Sequence, residues 1–280
     1  MRDLTFGHSP CPNDTFAFHA LTHGLVDAPC KITPILLDIE ELNRRALTGQ
    51  FDITKLSVGA FAGVGERYRL LRSGAALGHG VGPLVVARAA TPENVARAAT
   101  PEDAARAPMS LHEAARGRIA IPGRETTAFR LLRLAAPSLG EVIEMRYDRI
   151  LGAVARGDVD AGLIIHESRF TYQDHGLVKI SDLGEWWERE TQLPVPLAGI
   201  CARSDIDDAT RDALERSIRA SVQYAFDHPE ASRAYVRAHA QEMSDAVCDE
   251  HIKLYVNQHS LDIGDEGLRA IERLVLTSPP

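Results

Sequence analysis

Short apolar runs rich in Val, Ile and Leu alternate with longer amphipathic stretches over most of the chain. Short continuous apolar runs are typical of strands buried on both faces, whereas apolar positions three and four residues apart are typical of helices. The alternation therefore predicts an α/β fold, with helices on both faces of a mainly parallel sheet. The predicted strands cover residues 4–7, 32–37, 51–56, 84–87, 119–121, 142–145, 162–165 and 197–201.

Helices are predicted between these strands, at residues 14–23, 39–47, 127–135 and 149–156. After Ser204 the apolar spacing is helical throughout, which predicts about three further helices. At 280 residues the chain exceeds the usual length of one domain, so we expect two lobes.

A glycine-rich segment at residues 78–83, Gly-His-Gly-Val-Gly-Pro, separates the first βα region from the second. Glycine tolerates backbone angles that other residues resist, so we interpret this segment as a hinge. A nucleotide-binding loop is the alternative. The spacing is not G-x-G-x-x-G, however, and a strand follows where that loop would need a helix.

A local duplication follows, because the sequence Ala-Arg-Ala-Ala-Thr-Pro-Glu of residues 87–93 recurs at residues 96–102. A period of nine is far shorter than any solenoid repeat, so the duplication is interpreted as a loop expansion within residues 87–109. Its Thr-Pro-Glu units resemble helix starts and predict short surface helices without chemistry of their own.

Charge and composition narrow the possible partners. The net charge is −8, from 31 basic and 39 acidic residues, which disfavours nucleic acid. No apolar run approaches the roughly 18 residues that span a bilayer, and the amino terminus lacks a secretory apolar core, so we expect a cytoplasmic protein. The four cysteines are far apart with no C-x-x-C pair, which predicts reduced thiols and no metal site.

The strongest chemical signal is a histidine, His166, at the carboxyl end of a predicted buried strand. Ligand crevices of open α/β sheets lie at this edge, and imidazole titrates near neutrality, so His166 is a candidate general base. Glu167 or a backbone carbonyl could hold its second ring nitrogen. The alternative is a histidine that only caps the following helix.

Two hydroxyls, Thr126 and Thr127, lie at a predicted strand-to-helix turn, where unpaired helix-start amides suit a carboxylate. Simple helix capping is the alternative. Lys55 and Ser57 end another predicted strand and could bind an anionic group, although a solvated charge is equally consistent with Lys55. Asn13 or Asp14 caps the first helix, and Asp14 could also reach the cleft.

Two other patterns carry less weight. Cys11 precedes a helix start that would lower its pKa, but no matching His and Asn pattern indicates a cysteine hydrolase. His19 and His23 share a helix face without the Glu of the H-E-x-x-H zinc motif, so a metal site is not expected.

Five segments taken in order extend over nearly the whole chain: SPCPNDTF, DITKLS, GHGVGPLVVAR, PGRETTAF and AGLIIHESRFTY. With them the chain resembles the 1,4-dihydroxy-6-naphthoate synthases of the futalosine route to menaquinone. The insert at residues 91–109 is the main departure from the family pattern.

The resemblance implies a two-lobed fold similar to periplasmic binding proteins of type II, with an interlobe cleft and a mixed, mainly parallel sheet in each lobe. Residues 1–83 with 198–280 would form the larger lobe, and residues 84–197 the smaller. It also implies cleavage of cyclic dehypoxanthine futalosine to 1,4-dihydroxy-6-naphthoate and dihydroxyacetone, without a cofactor. His166 would be the proton acceptor, and the substrate anchors would be Lys55, Leu56, Ser57, Thr126 and Thr127.

Two other functions remain open at this stage, because fold alone does not determine activity. A binding protein for small carboxylates would use the same architecture, and chorismate dehydratase of the same pathway has a similar scaffold. We expect a small-molecule carboxylate substrate, no nucleic-acid or membrane partner, and a monomer or homodimer.

Overall fold

The computed structural model describes residues 3–89, 109–241 and 244–277. Contacts divide the chain into two compact units. Of the described residues, unit 1 contains 3–81, 125–127, 187–241 and 244–277, and unit 2 contains 82–89, 109–124 and 128–186. The predicted lobes differ from these units mainly at the second boundary and at residues 125–127.

The strands are β1 Leu4–His8, β2 Ile32–Leu36, β3 Ile53–Ser57, β4 Tyr68–Leu70, β5 Ala76–Gly78, β6 Leu84–Arg88, β7 Arg118–Ile121, β8 Glu141–Glu144, β9 Ala161–Ile164, β10 Leu177–Asp182 and β11 Val195–Arg203. The helices are α1 Pro12–Thr22, α2 Ile39–Ala46, α3 Phe61–Val64, α4 Leu111–Arg116, α5 Thr127–Ala135, α6 Tyr147–Arg156, α7 Ser168–Thr171, α8 Leu183–Thr191, α9 Asp208–Asp227, α10 Arg233–His239, α11 Asp245–Tyr255, α12 Gln258–Leu261 and α13 Gly264–Leu276. Short 3₁₀ helices lie at Val58–Ala60, Gly65–Arg67, Tyr172–His175 and Pro229–Ser232.

Unit 1 is built on a mixed six-stranded sheet in the order β2-β1-β3-β11-β4, with β5 also paired to β11. Strands β2, β1 and β3 are parallel, and β11 runs antiparallel to β3, β4 and β5. The carboxyl ends of β1 and β3 therefore meet at one edge of the sheet, where His8 and Ser57 end their strands.

Helix α1 packs against α9, α10 and α11 and is buried along most of its length. Its Phe18 lies in the core with Phe6 of β1 and Ile218 of α9. Burial of an aromatic or aliphatic side chain of this size stabilises the fold by about 1.5–3 kcal/mol. Because α1 is covered on all sides, the polar residues of its first turn are also removed from water.

Unit 2 is built on a mixed five-stranded sheet in the order β10-β6-β9-β7-β8. Strands β9, β7 and β8 are parallel, whereas β6 runs antiparallel to β9 and β10. Helix α6 packs closely on β9 at Gly162, where a Cβ would lie 2.5 Å from Ile150 Cγ2. Glycine in β9 thus lets α6 approach the sheet.

All eight predicted strands are present, with ends shifted by a few residues. Strands β4 and β5 were not predicted because three residues are too short for a pattern, and the polar positions of β10 hid that strand. Among the described strands, parallel pairing is confined to β2-β1-β3 and β9-β7-β8. The two sheets therefore contain more antiparallel pairs than the pattern predicted. The described residues after Ser204, 205–241 and 244–277, contain five α-helices where about three were expected.

The predicted hinge at residues 78–83 spans the change from unit 1 to unit 2 between Val81 and Gly82. Gly80 adopts a φ of 69°, a left-handed conformation that favours glycine. The predicted surface helices of the duplicated insert fall in residues 90–108, outside the described part of the chain.

Candidate functional site

A buried ion pair lies at the centre of the polar residues of unit 1. Lys55 Nζ of β3 contacts Asp14 Oδ1 of α1, and the two side chains are only 5% and 3% exposed. The sequence prediction placed both residues among the substrate contacts, but it did not pair them with each other. A buried cation and a buried carboxylate are tolerated because each compensates the charge of the other.

Asp14 is fixed by further hydrogen bonds at both oxygens. Oδ2 accepts from Ser9 N at 3.0 Å and from Ser9 Oγ at 2.7 Å, and Oδ1 accepts from Asn13 Nδ2 at 2.9 Å. Burial would raise the pKa of Asp14, but the charge of Lys55 and the hydrogen bonds from Lys55 and Ser9 outweigh it and lower the pKa below its ordinary value. Asp14 is therefore an ionised carboxylate at neutral pH.

Asn13 connects this carboxylate to a histidine far away in the sequence. Because Asn13 Nδ2 donates to Asp14, its Oδ1 is the acceptor that lies 3.0 Å from His251 Nε2. His251 must then carry its proton on Nε2 when neutral. Helix α11 thereby reaches the start of α1 through the buried His251 and Asn13.

His8, at the carboxyl end of β1, is completely buried beside the same residues. Its Nδ1 donates to the Ser9 carbonyl at 3.0 Å, and its ring packs against Phe6 and Phe18. Burial lowers the pKa of His8 to about 4, although the negative charge of Asp14 opposes the shift. The imidazole is therefore neutral at physiological pH.

Ser57 is held by Asn43, a residue that the sequence prediction missed. Asn43 is fully buried, donates from Nδ2 to Ser57 Oγ at 3.0 Å, and accepts from Ser57 N at 2.9 Å. The signal was present in the sequence, since Asn43 lies with Ile39, Leu42 and Ala46 on the buried face of α2. The side chain of Leu56, between Lys55 and Ser57, packs in an apolar core cluster, and its backbone pairs with Gly199 of β11.

Thr127 is engaged within unit 1 at the start of α5. Its hydroxyl donates to the Leu197 carbonyl at 2.6 Å and accepts from Gly59 N at 3.0 Å. Nearby, Glu125 N donates to the Glu40 carboxylate at 3.2 Å, and Thr126 is as deeply buried as Thr127. The one hydroxyl proton of Thr127 is thus already donated within the protein, and Thr127 has no hydroxyl proton left for a ligand.

His166 lies in unit 2, directly after β9 and Ile165, as predicted from the sequence. Its φ of 57° is left-handed, a conformation that is uncommon for residues with a Cβ. The Tyr147 ring packs edge-on against the imidazole, with centroids 4.9 Å apart, and Tyr147 Oη donates to Glu167 Oε1 at 3.3 Å. The sequence analysis considered Glu167 but missed Tyr147.

Arg169 ties the turn after His166 to other parts of unit 2. Its guanidinium donates to the Gly82 carbonyl at 2.5 Å and to Asp182 Oδ2 at 2.7 Å. Asp182 Oδ1 in turn accepts from the amides of Gly184 and Glu185 at the start of α8. Arg169 therefore fixes the turn after His166 to Gly82 and, through Asp182, to the start of α8.

Of the remaining chemical signals, Cys11 lies next to Asp14, since its amide donates to Ser9 Oγ at 3.3 Å. None of the four cysteines, all in described parts of the chain, forms a disulfide, and burial raises the pKa of Cys201 strongly. His19 and His23 stack with ring centroids 4.3 Å apart. Within residues 3–89, 109–241 and 244–277 no cluster of His, Cys, Asp and Glu could hold a metal ion. The same residues contain no helix long and apolar enough to cross a membrane.

Comparison with known proteins gives matches over almost the full length. A family model described as menaquinone biosynthesis matches residues 4–277. A Thermus thermophilus protein named 1,4-dihydroxy-6-naphtoate synthase is 52% identical, over 98% of this chain and 93% of its own. A Streptomyces coelicolor protein of the same name is 42% identical, over 97% and 91%.

Solved structures give the same fold. A protein of Archaeoglobus fulgidus superposes with a TM-score of 0.86 at 34% identity, over 97% of this chain and 95% of its own. A Candida albicans protein described as having the generic periplasmic binding protein fold superposes with a TM-score of 0.66 at 15% identity, over 98% and 89%. The predicted periplasmic-binding-protein-like α/β fold is confirmed.

Proposed function

The chain belongs to the menaquinone biosynthesis family, and from that membership we propose that it is a carbon–carbon lyase. The proposed reaction converts cyclic dehypoxanthine futalosine to 1,4-dihydroxy-6-naphthoate and dihydroxyacetone. The observation that carries the proposal is the near-full-length identity, 52% and 42%, to two proteins that share the name of this synthase.

His166 is the proposed general base. It would remove the proton of a sugar-derived hydroxyl, whose oxygen then forms a carbonyl as the neighbouring carbon–carbon bond breaks. The electron pair of the broken bond moves into the bicyclic part of the substrate, and aromatisation of that part drives cleavage forward. The position of His166 after β9 supports this role, because ligand sites of α/β sheets use the carboxyl ends of strands.

The start of α5 is the proposed carboxylate site. The hydroxyl proton of Thr127 is already donated to Leu197, so the hydroxyl of Thr126 and the backbone amides at the start of α5 are proposed to bind the carboxylate. Thr127 would contribute by fixing this turn to Gly59.

Lys55 and Ser57 of β3 are proposed to bind another polar group of the substrate, with Asp14 as the partner of Lys55. An ammonium has three N–H groups and Asp14 accepts from one of them, so Lys55 can still donate elsewhere. Because Asp14 compensates its charge, Lys55 would act as an oriented donor more than as an unbalanced cation.

The test is product formation from cyclic dehypoxanthine futalosine by the purified protein, followed by chromatography in the presence of a chelator. We expect naphthoate from wild type and from His175→Ala, which removes an exposed histidine of the same unit. His166→Ala should bind substrate with similar affinity and lose at least about a hundredfold in kcat. No naphthoate from wild type would overturn the proposal; dehydration of chorismate would assign the other enzyme, and binding without turnover would assign a binding protein.

We further propose that the protein acts in the cytoplasm as a monomer or homodimer, without nucleic acid. The net charge of −8 supports the last point, since phosphate backbones would be repelled. Sedimentation of the purified protein, alone and with duplex DNA, tests the oligomeric state and the absence of binding.

A further inference from the structure

The backbone at His166 needs support from its surroundings. His166 and Gln192 are the non-glycine residues with positive φ in the described chain. A left-handed residue with a Cβ persists only where neighbouring groups hold it, and such residues are concentrated at functional sites. The contacts around His166 therefore decide where its imidazole points.

Tyr147 supplies two of these contacts from a different element. It is buried at the first position of α6, and its ring meets the imidazole edge-on at an interplanar angle of 71°. Its hydroxyl donates to Glu167 Oε1, and Glu167 is itself only 6% exposed. One side chain thus contacts both the imidazole and the carboxylate of the next residue.

The position of Tyr147 is itself rigid. Helix α6 carries Ile150 and Val154 into the core of unit 2, where both are fully buried. Both would contact a Cβ placed at Gly162 of β9, the strand that leads to His166. The same packing that holds α6 on β9 therefore fixes the distance between Tyr147 and His166.

We propose that Tyr147 is a positioning residue for His166: its ring confines the imidazole, and its hydroxyl orients Glu167 beside it. The description of His166 as a base rests on the proposed function. The contact between the Tyr147 and His166 rings does not depend on it. Mechanistically, a base that is misplaced by about 1 Å can lose a hundredfold in rate, which is the loss that Tyr147 would prevent.

The kinetic test compares Tyr147→Leu and Tyr147→Phe with Tyr172→Leu, which removes a partly buried tyrosine on the core of the same unit. Tyr147→Leu should lower kcat by about a hundredfold and leave KM within about twofold, because substrate binding is retained while orientation of the base is lost. Tyr147→Phe keeps the ring and should recover most of that loss. A fall in kcat no larger than that of Tyr172→Leu, or an effect on KM alone, would overturn the inference.

A second measurement does not depend on turnover. Ring nitrogen shifts of ¹⁵N-histidine-labelled protein, with His166→Gln to assign the signal, report the tautomer and titration of the His166 imidazole. We expect both to change in Tyr147→Leu and to stay at wild-type values in Tyr172→Leu. Unchanged shifts in Tyr147→Leu would reject the positioning role.

The two measurements separate the inference from the proposed function. If wild type makes no naphthoate but the His166 shifts respond to Tyr147→Leu, the lyase proposal fails and the positioning role stands. If Tyr147→Leu does not fold, Tyr147→Phe is the variant that tests the positioning role. Loss of the hydrogen bond to Glu167 should then alter the His166 titration and lower kcat several-fold, and wild-type behaviour in both would overturn the inference.

Discussion

Asn43 and Ser57 form a reciprocal pair in which the amide of one residue satisfies both the hydroxyl and the backbone nitrogen of the other. The two hydrogen bonds are 3.0 and 2.9 Å long, and both residues are buried. Because an amide presents a donor and an acceptor on one plane, this contact determines the rotamer of Ser57 and the end of β3.

Replacing Asn43 should therefore affect Ser57 before it affects the rest of unit 1. Asn43→Ala leaves the amide of Ser57 buried without its acceptor, which costs about 1–3 kcal/mol of unfolding free energy. We expect a raised KM together with this loss in urea titrations. Asn43→Asp keeps the acceptor for Ser57 N but buries a carboxylate, so it is a control for KM and not for the unfolding free energy. Equal KM values for the alanine variant and wild type would contradict a role for Ser57 in binding.

The ion pair between Lys55 and Asp14 should be strongly coupled. Removing one partner of a buried pair leaves an uncompensated charge and typically costs about 3–5 kcal/mol. We expect Lys55→Met and Asp14→Leu each to lower the free energy of unfolding, and the double variant to lose clearly less than the sum of the two. Additive losses in urea denaturation would show that the pair is not coupled. The double variant should remain inactive if the polar groups bind substrate.

Stability should fall on mild acidification because of His8. Its pKa is about 4 in the folded protein against 6.5 in the unfolded chain, so below pH 6.5 the unfolded state binds a proton that the folded state does not. The contribution of His8 is complete above pH 6.5 and is lost towards pH 4, by about 3 kcal/mol at 1.4 kcal/mol for each pH unit.

His8→Asn tests this pH dependence. The asparagine Nδ2 can replace the hydrogen bond to the Ser9 carbonyl but does not titrate. Thermal or urea unfolding measured between pH 4 and 7 should show a shallower dependence on pH in this variant, and an unchanged slope would contradict the assignment. His175→Asn, at an exposed position, should keep the wild-type slope.

Gly59 should be sensitive to the smallest possible side chain. A Cβ there would lie 2.9 Å from the Thr126 carbonyl oxygen, a backbone atom that can move only with the start of α5. Gly59→Ala is expected to raise KM at least several-fold by displacing Thr126 and weakening the bond from Gly59 N to Thr127. Gly63→Ala is the control, since its Cβ would meet only the flexible end of Leu47 at 3.1 Å. Unchanged substrate affinity in Gly59→Ala would remove Thr126 from the proposed carboxylate site.

The sequence by itself determined the elements and the strand-end positions of the candidate residues. Apolar runs such as residues 119–121 and 162–165 can be recognised from the local sequence alone. A short apolar run is buried in a sheet whichever strand lies beside it. For the same reason His166 and Ser57 could be placed at the carboxyl ends of their strands. The edge strands β4 and β5 were missed because three residues are too few to show a pattern of apolar and polar positions.

Only the tertiary structure decided which polar groups are partners. His251 meets Asn13 across 238 positions of sequence, and Lys55 meets Asp14 across 41. Tyr147 contacts His166 because α6 packs on β9, and the hydroxyl of Thr127 donates to the Leu197 carbonyl. Hydrogen bonds act over about 3 Å and depend on direction, so their partners follow from how helices and sheets pack and leave no periodic trace in the sequence.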